Sequence, residues 1–116
     1  MNITPLQFYK CLADDTRLKS LLLIQVELEL CVCELTQALQ VSQPKISRHL
    51  AQLRECGLLI DRREGQWVYY KINPELPAWA LSVLTVSAES NLDFIQYNQQ
   101  QLCDMGERPQ RKTLCC

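Results

Sequence analysis

The sequence predicts a mainly α-helical domain carrying one β-hairpin, and three observations lead there. An amphipathic stretch opens on Ser42-Gln43-Pro44 and stops at Gly57. Two runs rich in β-branched and aromatic residues follow it directly. The segments on either side of this unit carry apolar residues at helical spacing.

Taken in order, residues 6–12 form a short helix, and Asp14 or Asp15 caps a second whose apolar positions include Leu18, Leu21, Leu22 and Val26. Glu27 and Glu29 precede a third helix over 34–39, which Val41-Ser42 interrupts. Ser42 is a good N-cap, Pro44 is tolerated in a first turn and Gly57 is a natural stop, so residues 43–56 make a fourth helix. At 100° per residue Ile46, Leu50 and Leu53 share one side of it, while Lys45, Arg48, Gln52 and Glu55 lie across from them. The runs 58–62 and 67–72 pair as a hairpin through Arg63-Glu64-Gly65-Gln66, which gives it a basic tip, and Asn73-Pro74 ends it. Residues 77–102 read as one long helix with Leu81, Leu84, Ala88, Leu92 and Ile95 on a stripe. So small a domain leaves that stripe little to cover, and a second copy of the chain is its expected partner.

A chain of 116 residues fits one domain, and 47% hydrophobic with 22% charged residues argues against disorder. Residues 1–105 are expected to form the folded unit, and residues 106–116 a flexible cysteine-containing tail. No stretch approaches the roughly 20 apolar residues of a membrane span, and the N-terminus lacks a signal-peptide layout, so a cytoplasmic protein is expected. Seven cysteines, an odd number with nothing pointing to export, argue for reduced thiols over a disulfide scaffold.

The net charge of −1 is unevenly spread. Residues 43–73 hold six basic side chains against three acidic ones, and both flanks are acidic. Two helices joined by a short turn, the second polar on its outer side, followed by a basic hairpin, describe a winged helix-turn-helix. Such a unit lays its second helix in the major groove of double-stranded DNA and rests the hairpin on adjacent backbone. Gln43 offers a donor and an acceptor to adenine, Lys45 a charge to phosphate, and Ser47 a hydroxyl to either. Arg48 suits guanine or a phosphate, and Arg62 and Arg63 on the wing suit phosphates.

Leu30-Cys31-Val32-Cys33-Glu34-Leu35, Ser42-Gln43-Pro44-Lys45-Ile46-Ser47-Arg48-His49-Leu50 and Gly65-Gln66-Trp67-Val68-Tyr69-Tyr70 together resemble the ArsR/SmtB family of metal-responsive repressors, in its arsenic-sensing branch. Leu12-Ala13-Asp14-Asp15-Thr16-Arg17-Leu18 extends the likeness, which spans residues 6–79. The resemblance implies a homodimer on a palindromic operator, read by Gln43, Ser47 and Arg48. It also implies a repressor of an arsenic-resistance operon with no permanently bound cofactor. Trivalent arsenic or antimony, As(III) or Sb(III), would be its inducer.

Cys31 and Cys33 are the expected metal ligands, at the entrance to the first helix of the DNA-binding unit. The positive end of that helix is expected to lower their thiol pKa values. Side chains at i and i+2 of a helix diverge, so chelation demands a non-helical 30–33 segment. Either the ion unwinds a turn or it recruits a further ligand. Trivalent arsenic favours three thiolates, yet the position where the resemblance implies another cysteine holds Thr36. Cys103, Cys115 and Cys116 are candidates for the third ligand, as are Cys11 and Cys56, which read more naturally as packing residues. The zinc site of related sensors, built from histidines and carboxylates on the last helix, is absent, since the single histidine, His49, lies near the packed side of 43–56.

Alternatives are a cadmium, lead or thiol-redox sensor of the same fold, a cysteine enzyme such as an arsenate reductase, and a plain dimerisation module. The enzyme reading fails because no nucleophile is accompanied by an anion-cradling loop.

Overall fold

A computed structural model describes residues 3–107. Helix α1 (Pro5–Leu12) starts in a capping box in which Thr4 Oγ1 accepts the Gln7 N–H at 3.1 Å. Helix α2 (Asp15–Glu27) is capped by Asp14, whose Oδ2 accepts the Arg17 N–H at 3.0 Å. Leu21, Leu22, Leu23 and Ile24 of α2 form the centre of the core, whereas Val26 is exposed.

The chain then makes a two-residue strand, β1 (Leu30–Cys31), and enters helix α3 (Val32–Leu39) two residues before the expected start. β1 completes a three-stranded antiparallel sheet of order β1-β3-β2 with the hairpin strands β2 (Leu59–Glu64) and β3 (Trp67–Ile72). Leu30 faces Tyr70 and Cys31 faces Tyr69 in the register, so the first cysteine of the pair is hydrogen-bonded into the wing's own sheet. The hairpin turns over Gly65-Gln66, with Gly65 at φ +64°.

Helix α4 (Gln43–Glu55) ends at the expected glycine. Gly57, at φ +88°, donates its N–H to Arg54 O, and Leu58 donates to Leu53 O, the paired bonds of a Schellman motif with buried Leu53 and Leu58 as its apolar contact. Ser42 occupies the N-cap position without a side-chain capping bond. Ile46, Leu50 and Leu53 are fully buried, and Lys45, Arg48, Gln52 and Glu55 are exposed, as the helical spacing requires.

The expected single helix over 77–102 is two helices, α5 (Ala78–Ser90) and α6 (Leu92–Asp104), broken at Asn91. Asn91 takes φ −130° and its Nδ2 donates to Ser87 O, a local side-chain bond that competes with helix continuation. The break also corrects the use of the apolar stripe. Leu84, Ala88 and Ile95 are buried within this chain's own core, and Asn98 Nδ2 on α6 donates to Ala38 O on α3. Large apolar groups left exposed on the terminal helices are Leu6 and Tyr9 on α1, Trp79 and Val86 on α5, and Leu92, Phe94 and Tyr97 on α6, and Val26 and Leu28 are exposed at the end of α2. No helix of the described residues is long and apolar enough to cross a membrane.

Candidate nucleic-acid interface and thiol site

Gln43, Lys45, Ser47 and Arg48 all stand exposed on one end of α4, the outer helix of the α3–α4 pair. Gln43 and Ser47 share one wall of a cleft of about 350 Å³ with Cys31, Val32 and Cys33, and the opposite wall is Gln66, Trp67, Val68 and Tyr70 of the hairpin. The expected ligand pair, the expected base-reading residues Gln43 and Ser47 and the wing therefore meet in one place, while Arg48 does not line the cleft.

The strand–helix junction runs between the two cysteines. Cys31 is the last residue of β1 and the N-cap of α3, at φ −92° and ψ 167°, while Cys33 lies in the first helical turn. Glu34, 1% exposed, closes the turn by accepting the Cys31 N–H on Oε1 at 3.0 Å. Cys31 is a buried free thiol, as expected, but Cys33 is half-buried and disulfide-bonded, which corrects the expectation of reduced thiols at this position. Burial pushes the Cys31 thiol up to about 11, and the Glu34 carboxylate adds to the rise, although backbone N–H groups of the helix start pull the other way. This overturns the expected lowering for Cys31: desolvation outweighs the helix end.

Thr36 sits half-buried one turn on, donating its hydroxyl to Val32 O. Cys11 and Cys56 lie at the other end of α4, and Cys103 is exposed on α6, so none lines the cleft. Cys56 is itself exposed, not a packing residue. Among the described residues no group of three or more His, Cys, Asp or Glu side chains could hold a metal ion. Cys115 and Cys116 lie outside the described residues, as does most of the expected tail.

The wing arginines differ. Arg62 is engaged by Glu29, with Nε to Oε2 and Nη2 to Oε1 both at 2.7 Å, and its guanidinium lies 4.6 Å from the Tyr69 ring centroid. That fork ties the wing to the residue before β1. Arg63 is exposed on the other face of the strand. The Glu29 anchor was invisible in the sequence because it joins groups 33 residues apart. His49 is buried, with Nδ1 3.4 Å from Arg17 Nη1 and Nε2 3.9 Å from Asp14 Oδ2, a structural placement between α2 and α4.

The family model described as bacterial regulatory protein, arsR family, matches residues 14–61. "Arsenic resistance transcriptional regulator ArsR1" of Pseudomonas putida KT2440 is 56% identical over 97% of this chain and 88% of its own. This chain belongs to the arsR family of regulatory proteins. The family is one of transcriptional regulators, not enzymes. The "Arsenical resistance operon repressor" of Escherichia coli K12 is 44% identical over 97% of both chains. Among solved structures, HlyU from Vibrio cholerae N16961 superposes with a TM-score of 0.66 at 30% identity, covering 75% of this chain and 90% of that one. In this arsR-family chain the matched segment runs from the α2 cap through α3 and α4 into β2, which takes in Cys31, Cys33 and the exposed end of α4.

Proposed function

We propose that this chain is a cytoplasmic repressor of an arsenic-resistance operon that binds operator DNA as a homodimer and releases it when As(III) or Sb(III) takes Cys31 and Cys33. The supporting observation is the shared cleft of Cys31, Cys33, Gln43, Ser47 and the wing residues. In this reading Gln43, Ser47 and Arg48 read bases, Lys45 and Arg63 take phosphates, and Arg62 reaches phosphate only as far as its pairing with Glu29 allows. The names of the similar Pseudomonas putida and Escherichia coli proteins favour arsenic as the inducer.

Release follows from the junction between the two thiols. Cys31 is fixed by its pairing with Tyr69, so once a small-molecule dithiol or thiol reductant has opened the disulfide at Cys33, an ion held by both sulfurs draws Cys33, and with it the first turn of α3, toward the sheet. Gln43 and Ser47 line the same cleft and move relative to the wing, which spoils a docking that needs helix and hairpin together. Moving a population from mostly bound to mostly free requires about 5 kcal/mol of preference for the released state. Chemically, each thiol that meets arsenous acid forms an As–S bond while its proton leaves with a hydroxyl as water. The protonated Cys31 therefore suits this ligand.

The exposed apolar groups of α1, α5 and α6 support a homodimer through the terminal helices. A groove of about 350 Å³ beside them is lined by Tyr9, Leu12, Leu18, Leu22, Val83 and Phe94 among others.

The test is fluorescence anisotropy of the labelled DNA upstream of the protein's own gene, titrated with protein and then with arsenite, antimonite, cadmium, zinc or peroxide. Tight salt-sensitive binding, lost first to arsenite and antimonite, is expected. Failure to bind, or release by cadmium or peroxide but not arsenite, contradicts the reading.

A further inference from the structure

At the opposite end of α4 two more cysteines meet. Cys11, buried in the last turn of α1, and Cys56, the exposed C-cap of α4, have their sulfurs 2.8 Å apart. That is closer than the roughly 3.5–4.0 Å at which non-bonded heavy atoms pack best. The pair opens on a cleft of about 420 Å³ whose other walls are Gln7, Lys10, Arg17, Gln52 and Glu55. Arg17 braces the two helices around it, donating from Nε to Cys11 O at 2.9 Å and from Nη1 to Gln52 Oε1 at 3.4 Å. Two sulfurs already in contact, one reachable from solvent and both beside an open cleft, are more than a buried filler requires.

We propose that Cys11 and Cys56 form a second thiol site, separate from Cys31 and Cys33, that takes a trivalent arsenical carrying one organic group. The residues lining this cleft include two sulfurs and no third cysteine and no histidine. A trivalent arsenic already bonded to one carbon needs two further bonds, so the count matches, and the cleft provides room for the organic substituent. Soft sulfur ligands suit the soft centre. The reaction is a condensation without redox change: two S–H bonds break, two As–S bonds form, and the oxygen of the arsenoxide leaves with the two protons as water. Burial pushes the Cys11 thiol up to about 12, and the Cys56 contact adds to this, so Cys11 enters the condensation as the thiol. Cys56, on the solvent side, meets the reagent first.

The probe is phenylarsine oxide and the readout is intact-protein mass spectrometry. A full-length variant with Cys31→Ser, Cys33→Ser, Cys103→Ser, Cys115→Ser and Cys116→Ser keeps only the Cys11–Cys56 pair. One phenylarsenic unit per chain is expected at equimolar reagent, held against a large excess of a monothiol and stripped by a dithiol. Adding Cys56→Ser, or Cys11→Ala, should abolish the monothiol-resistant adduct while circular dichroism and melting report an intact fold. In the pair-only variant, a small excess of probe should protect Cys56 from alkylation by at least tenfold, as mapped by peptide mass spectrometry. No resistant adduct on the folded pair, an adduct that survives either single removal, or an unprotected Cys56 would each overturn the site. The pair-only variant lacks Cys31 and Cys33, so these results stand apart from those of the proposed inducer site.

Discussion

Helix α4 has a cysteine pair at each end, and the two pairs are held in opposite ways. At its N-terminal end Cys31 and Cys33 are neighbours in sequence but are divided by the β1–α3 junction, one fixed in a sheet and the other in a helical turn. At its C-terminal end Cys11 and Cys56 are 45 residues apart in sequence and already in contact. A ligand shifts a conformational equilibrium only by its differential affinity for the two states. In the proposed function the first pair couples to DNA because its two cysteines belong to different elements, a strand and a helical turn, that one ion would have to draw together. The second is preformed, and filling it should leave operator affinity within about twofold. Operator release by phenylarsine oxide from the variant that keeps only Cys11 and Cys56 would erase that distinction.

The largest effect is expected at the DNA-facing end itself. Arg48→Ala should lower specific operator affinity by roughly ten- to a hundredfold, the roughly 1–3 kcal/mol of a good base contact, with the protein still folded. Its side chain is exposed while Ile46 and Leu50 on the other side of the helix are buried, so folding does not depend on it. Unchanged affinity in a gel-shift titration would remove Arg48 from the interface.

Next comes the residue that closes the junction between the thiols. Glu34→Ala should destabilise the fold by about 1–2 kcal/mol in urea denaturation, because the Cys31 N–H loses its buried acceptor. Glu34→Gln retains an acceptor but removes the charge that helps hold Cys31 up near 11, so alkylation of Cys31 should set in at lower pH. A Glu34→Ala protein as stable as the parent would show that the capping bond contributes little.

The same raised thiol separates inducers by pH. A divalent cation must displace the Cys31 proton, so cadmium affinity should climb up to tenfold per pH unit per proton from neutral to mildly alkaline pH. Arsenous acid removes that proton as water, and its affinity should stay flat over the same range. A flat cadmium affinity, with arsenite affinity falling as pH rises, would mean that Cys31 binds as a preformed thiolate.

The smallest effect concerns the wing. Arg63→Ala should reduce the salt slope of binding by about one unit, and adding Arg62→Ala should change it little further, because Glu29 already holds the Arg62 guanidinium away from phosphate. Glu29→Gln should then free Arg62 to strengthen DNA binding slightly. A full second unit of slope from Arg62 would place it on phosphate in the complex.

What could be seen in the sequence divides along the same line. The ends of α4 and the hairpin were legible because Pro44, Gly57 and Gly65 carry backbone constraints of their own, and the buried face followed from the spacing of Ile46, Leu50 and Leu53. The Cys-x-Cys pair was visible as two letters one residue apart. The start of α3 two residues early was not, because β1 is only two residues long and exists by pairing with Tyr69 and Tyr70. The break at Asn91 has no glycine or proline to announce it. The Glu29–Arg62 fork and the Cys11–Cys56 contact are products of tertiary packing, which no local spacing encodes.

The central claim is that the divided pair at the N-terminal end of α4 is the switch. Its most direct test is operator anisotropy against arsenite for the parent protein and the Cys31→Ser, Cys33→Ser double variant. The variant should bind operator within a few-fold of the parent, since neither sulfur is on the exposed face of α4, and should stay bound at arsenite concentrations at least a hundredfold above those that release the parent. Normal release by the double variant would contradict the claim and move the switch to another set of thiols.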